Sequence, residues 1–183
     1  THGYYGPNIW RYTVPTVYRV ELPEETAEYT VNLLGGFVFR GWMDYLTFGR
    51  YGTRGWTSPD GTINCIEQAY DLESERFTVS LLKHEAQHSA DMKRFAGITP
   101  TELEYRAKLV ELYYSADSGL LKKFISEADE GRTSDSHAAA SAKIRCGFTD
   151  TDQTELSCIR SRALALLHAA KEEMKEKYGR TEE

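Results

Sequence analysis

Residues 80–95, SLLKHEAQHSADMKRF, place two of the chain's five histidines four positions apart, with Glu85 directly after the first. On a helix that spacing advances about 6 Å along the axis and about 40° around it, so His84 and His88 present their imidazoles to one point. Phe77, Leu81, His84, His88 and Phe95 form one stripe at steps of three, four and seven. Leu82, Ala86 and Ala90 form a small apolar stripe beside it. Both histidines are therefore expected to face the body of the protein, where each needs a polar partner. Two converging imidazoles suit one divalent metal. Zinc would lower the pKa of its bound water to about 7, and Glu85, pointing beside the same axis, would accept the proton as general base.

A catalytic zinc keeps three protein ligands and one open position. His2, His137 and His168 lie in no matching motif, whereas residues 96–112, AGITPTELEYRAKLVEL, offer Glu102, Glu104 and Glu111. Gly97 stops the first helix, and Thr99, Pro100 and Glu102 read as N-cap, first helical position and capping-box partner of the next. That frame occupies Glu102 at the helix end. Thr101 with Glu104 is the rival capping box, and Pro100 favours the first frame. Ala107, one turn beyond Glu104, is small enough to let the two helices approach. Glu104 is thus the preferred third ligand, and Glu111, two turns along the same stripe, is its competitor.

Working outward, residues 1–17 form an extended aromatic-rich segment and VYRVEL (17–22) alternates as a strand. The stretch PEETAEYTVNLL (23–34) carries a proline and acids in a first turn and reads as a helix. Residues 37–56 are dense in aromatics and glycine; their secondary structure is undecided and much of their surface is expected to be buried. Pro59-Asp60-Gly61 marks a turn before a strand carrying Ile63, Cys65 and Ile66. Helices are expected over 73–96, 100–117, 119–130, 136–146 and 152–178. Strands first and helices after predict one α+β domain over 1–183, mostly α.

The formal charge of −6 and pI near 5.5 argue against a nucleic-acid or anionic-membrane footprint, which needs clustered Lys and Arg, and the longest basic clusters are pairs such as Lys122-Lys123. No apolar run is long enough to span a bilayer. The start at Thr1 without Met fits a processed, exported product or a trimmed chain, so the compartment stays open. Three cysteines are an odd number; Cys146 and Cys158 are the pair that a disulfide in an exported protein would use, and reduced thiols fit equally. His137, behind the capping residues Ser134 and Asp135, is the candidate oxyanion donor, with a capped surface histidine as the alternative. Tyr113 and Tyr114 share the chemistry but are expected to pack in the core. His168 reads as a histidine on a helix face. Asp91 is placed to hydrogen-bond a ligand or anchor Arg106, or else to be an exposed helix charge.

HEAQH followed by LEYRA resembles the gluzincin branch of the zincin metallopeptidases over about residues 61–115. The chain as a whole is similar to little-characterised bacterial HExxH proteins. The resemblance implies a zincin-like fold, with a small N-terminal sheet, an active-site helix and a C-terminal helical part. It also implies zinc on His84, His88 and Glu104, with Glu85 as the base of peptide-bond hydrolysis. Residues 61–70 would then be the edge strand that holds a peptide or protein substrate antiparallel above the cleft. The N-E-x-x-S-D sequence around the third ligand of better-known members is absent, as is the metzincin extension after His88. Two other functions compete: a zinc-binding but proteolytically silent module whose cleft is filled by its own N-terminal segment, and a helical binding protein without metal. Residues 1–17 are also a candidate removable pro-segment.

Overall fold

Tyr12–Glu21 (β2) and Thr26–Gly35 (β3) pair antiparallel over their whole length, from Tyr12 opposite Gly35 to Glu21 opposite Thr26. The computed structural model describes residues 8–48, 52, 54–129, 135–148 and 155–179. Asn8–Ile9 (β1) pairs with Phe39–Arg40 (β4) in a separate two-stranded ribbon that leads into the short helix Gly41–Leu46 (α1). Gly55–Thr57 (β5) and Ile63–Ile66 (β6) complete a four-stranded sheet of order β2-β3-β6-β5, in which only the β3–β6 pairing is parallel. The rest is helical: Glu75–Phe77 (α2), His84–Arg94 (α3), Pro100–Tyr114 (α4), Gly119–Ser126 (α5), Ser136–Gly147 (α6) and Leu156–Tyr178 (α7). A π-helical turn, Thr78–Lys83, joins α2 to α3, so residues 75–94 run as one rod.

The fold is therefore α+β and mostly α, as expected, and the helices from residue 75 onward fall within the expected ranges, except that α6 runs one residue past 146. Among the described residues no helix is long and apolar enough to cross a membrane. One face of the sheet supplies Val20, Tyr29, Val31, Leu33, Ile63 and Cys65 to the core. The α2–α3 rod supplies Phe77, Leu81, Leu82, Ala86 and Ala90, so both stripes read from the sequence are buried as anticipated. Helix α4 is the hub, packed against α3, α6 and α7.

Three expectations need correction. The helix expected at 23–34 is strand β3: Tyr29, Val31 and Leu33 alternate buried with exposed Glu28 and Thr30, and ten ladder pairs with β2 outweigh a proline and two acids at a supposed first turn. Among the described residues of 37–56, Phe37, Phe39 and Trp56 are only half-buried and the other aromatics are exposed, against the expected burial. Trp42, Tyr45, Leu46 and Phe48 are 51%, 65%, 66% and 95% exposed, because α1 is one short helix outside the sheet and helix layers. The Phe39, Trp42 and Tyr45 rings instead contact one another edge to face, at centroid distances of 5.3 and 6.1 Å. Finally, residues 12–17 belong to an integral sheet strand, so removing 1–17 as a pro-segment would strip the first half of β2. Residues 1–7 lie outside the described part.

Cys146 and Cys158 are exposed free thiols, without the disulfide considered for them, and Cys65 is a buried one.

Candidate metal centre

Ser74 starts the rod by accepting a hydrogen bond from the Phe77 amide, and the rod carries His84 and His88 inward between the sheet and α4. After Phe95 the chain turns through Gly97, whose φ of +85° no β-branched or bulky residue would hold comfortably. Helix α4 then begins in the anticipated frame. Thr99 and Glu102 form a reciprocal capping box with Pro100 inside the first turn, which occupies Glu102 and leaves Glu104 free. Lys177 Nζ and the Tyr178 hydroxyl also donate to Glu102, at 2.8 and 2.6 Å. Ala107 is fully buried, as the close approach of α3 and α4 requires.

The consequence is a convergence of donors. His84 Nε2 lies 2.9 Å from His88 Nε2 and 3.4 Å from Glu104 Oε2, and His88 Nε2 lies 3.5 Å from Glu104 Oε1. Ligands about 2.0–2.1 Å from a tetrahedral zinc stand roughly 3.3 Å apart; the two His–Glu104 separations, each to a different carboxylate oxygen, lie near that value and the His–His separation is shorter. Among the described residues His84, His88 and Glu104 are the one such group whose ligand atoms all fall within 4.8 Å of one another. Glu104 Oε2 is buried and accepts no hydrogen bond. A carboxylate oxygen left in that state carries a desolvation cost that a cation between the three side chains would offset.

Glu111, the competitor for third ligand, has a different place. Its Oε1 accepts a hydrogen bond from His84 Nδ1 at 2.6 Å, on the side of the ring away from the cluster. One helix thus supplies Glu104 to the cluster and, two turns on, the carboxylate that fixes the orientation of the His84 ring. Burial disfavours the charged form of His84, but the facing Glu104 and Glu111 carboxylates outweigh it and raise its pKa to about 10. Burial raises the Glu104 carboxyl, and the neighbouring His137, His84 and His88 more than reverse this, holding it far below the usual carboxylate range.

Without metal, His84 is therefore an imidazolium at neutral pH, and a proton occupies the cluster. A metal must displace that proton, so its apparent affinity should rise with pH up to about 10, with about one proton released near pH 7. Calorimetric zinc titrations in two buffers of different ionisation enthalpy measure that release. Glu111→Gln should weaken zinc binding by about 10–100-fold while leaving the three ligand side chains in place. A competition titration against a chelator reads this directly.

The cluster opens into a cleft of about 320 Å³ that also exposes Glu85 and is walled by Trp56, Met92, Pro100 and Leu103. The strand at its rim is β5. Sheet order puts β6, expected at the edge, between β3 and β5, so Gly55–Thr57 and not residues 61–70 forms the border of the cleft. No residue of 8–17 lines the cleft, which removes the described part of the N-terminal segment as its filling. Thr57 was not picked out from the sequence, yet its hydroxyl donates to Glu85 Oε2 at 2.7 Å. A lone threonine in a glycine-rich stretch carries no signal of such a contact.

His137 reaches the mouth of the cleft, capped as anticipated by Asp135, whose Oδ1 accepts from the His137 and Ala138 amides at 3.1 and 3.2 Å. Its side chain is 63% exposed, and Nδ1 is 3.0 Å from Glu104 Oε2 without hydrogen-bond alignment. It stands outside the ligand group, on its solvent side. Tyr113 and Tyr114 pack against the core and against each other, 4.8 Å between ring centroids, away from the cleft lining. His168 is exposed on α7, and His2 lies outside the described residues. Asp91 is fully buried and accepts from Arg106 Nε at 2.7 Å and Gln87 Nε2 at 2.9 Å, so it anchors Arg106 and binds neither ligand. Compared with known proteins, the chain matches no family model, and no curated protein or solved structure aligns with it significantly.

Proposed function

We propose that this chain is a zinc-dependent hydrolase of peptide bonds, with a zincin-like, gluzincin-type organisation. The observation that carries the reading is the convergence of His84, His88 and Glu104, with donor atoms 2.9–3.5 Å apart, beside a cleft that also holds Glu85. Two imidazoles and one carboxylate also suit ferrous iron. The Glu85 carboxylate, which lines the cleft beside the cluster, favours hydrolysis because it can take the proton of an attacking water. A small mixed sheet whose antiparallel edge strand borders the cleft supports the zincin-like organisation.

Zinc at these ligands would polarise the scissile carbonyl and acidify a water at its open position. The protein's own groups do the rest. Glu85 takes the proton from the attacking water as the new carbon–oxygen bond forms, then delivers it to the leaving amine as the carbon–nitrogen bond breaks. His137, at the mouth, donates to the oxyanion that develops on the carbonyl oxygen. Glu111 keeps the His84 ring in its ligating orientation. β5, at the edge of the described sheet, offers its backbone to an extended peptide.

The test is digestion of a mixed peptide library by zinc-loaded protein, read by mass spectrometry. Hydrolysis should stop on chelation and return with zinc. Intact peptides in the presence of fully bound zinc would overturn the reading.

A further inference from the structure

The three residues of β5 do two jobs on alternating sides. A Cβ on Gly55 would lie 2.2 Å from Leu81 Cδ1, so the strand is seated directly against the rod at that point. Two residues along, which is about 6.8 Å on a strand, Thr57 meets Glu85, four residues or about 6 Å further along the rod. The strand therefore lies along the helix in register, with Gly55 over Leu81 and Thr57 over Glu85. Trp56, between them, contributes to the cleft wall.

The Thr57 hydroxyl has two acceptors in reach: Glu85 Oε2 at 2.7 Å and the Glu85 backbone oxygen at 3.0 Å. A hydroxyl has one proton to give, and the carboxylate is both the nearer and the stronger acceptor. We infer that Thr57 is the positioning residue for the Glu85 carboxylate, fixing the base from the strand along which the substrate would lie. This rests on the hydrolase reading for its consequence in turnover, and on the geometry alone for its effect on Glu85. The strand that receives substrate and the base that acts on it are then one mechanical unit.

The test compares Thr57→Val, which removes the donor at constant shape, with Thr57→Ser, which keeps it. Crystal structures of the zinc-free proteins should show the Glu85 carboxylate turned away in Thr57→Val and in place in Thr57→Ser. On peptides cleaved by wild type, Thr57→Val should lower kcat about tenfold with KM within about twofold, and Thr57→Ser should restore it. Zinc affinity and melting temperature should be unchanged in both. Glu85 unmoved in Thr57→Val overturns the inference, as does an undiminished kcat once the carboxylate has moved. If wild type cleaves nothing, the hydrolase reading falls, and the two crystal structures still decide what holds Glu85.

Discussion

Glu85→Gln should take up zinc as tightly as wild type and lose turnover by about 10²–10⁴-fold, the range that a positioned general base contributes. The amide has nearly the shape of the carboxylate and can still accept from Thr57, so the rim of the cleft stays closed. It cannot take a proton from water. The ligand atoms of His84, His88 and Glu104 do not depend on Glu85, which contributes none of them. Zinc titration and turnover should therefore separate cleanly. Equal loss of both would mean that Glu85 holds the site together, and unchanged turnover would mean that another group is the base.

Arg106→Ala should destabilise the fold by about 3–5 kcal/mol, the usual cost of leaving a buried charge without its partner. The Arg106 guanidinium is fully buried and donates to Asp91 at 2.7 Å, to the Leu167 carbonyl at 2.9 Å and to Glu24 at 3.0 Å. Glu24, at the β2–β3 turn, also accepts from Arg94 at 2.7 Å. One network thus ties α3, α4, α7 and the sheet together, one turn behind the His88 ligand. Truncation removes the nearest cation from the buried Asp91 carboxylate, which keeps Gln87 Nε2 at 2.9 Å and Arg94 at 3.9 Å. A drop in melting temperature of roughly 10 °C is expected. The double variant Arg106→Met with Asp91→Leu should cost less than Arg106→Ala, since it removes the charge along with its partner. A single-variant cost below about 1 kcal/mol would show that the network is dispensable.

The site was more legible than the sheet that frames it, for physical reasons. His84, His88 and their inward stripe were readable because helical periodicity is local: residues four apart meet whatever the rest of the chain does. The Thr99–Pro100–Glu102 restart was readable because a capping box is complete within four residues. That frame in turn freed Glu104. The role of Glu111 was not readable, since its distinction from Glu104 depends on which side of the His84 ring α4 crosses, a matter of packing between helices. The turn residues before β3 resemble a helix start, whereas the real determinant of the strand is a ladder with β2. The gluzincin resemblance puts the edge strand at 61–70, where Ile63, Cys65 and Ile66 carry a strand pattern. That pattern marks burial on both faces: all four residues of β6 are buried, as a central strand demands, while the short Gly55–Thr57 strand is half-exposed.

The most direct test of the central claim is anomalous diffraction from zinc-soaked crystals, collected on either side of the zinc edge. A single strong peak is expected about 2.0–2.1 Å from His84 Nε2, His88 Nε2 and a Glu104 carboxylate oxygen, with Glu111 still hydrogen-bonded to His84 Nδ1. A map with no peak there, or one in which the metal sits on Glu111 in place of Glu104, would contradict it.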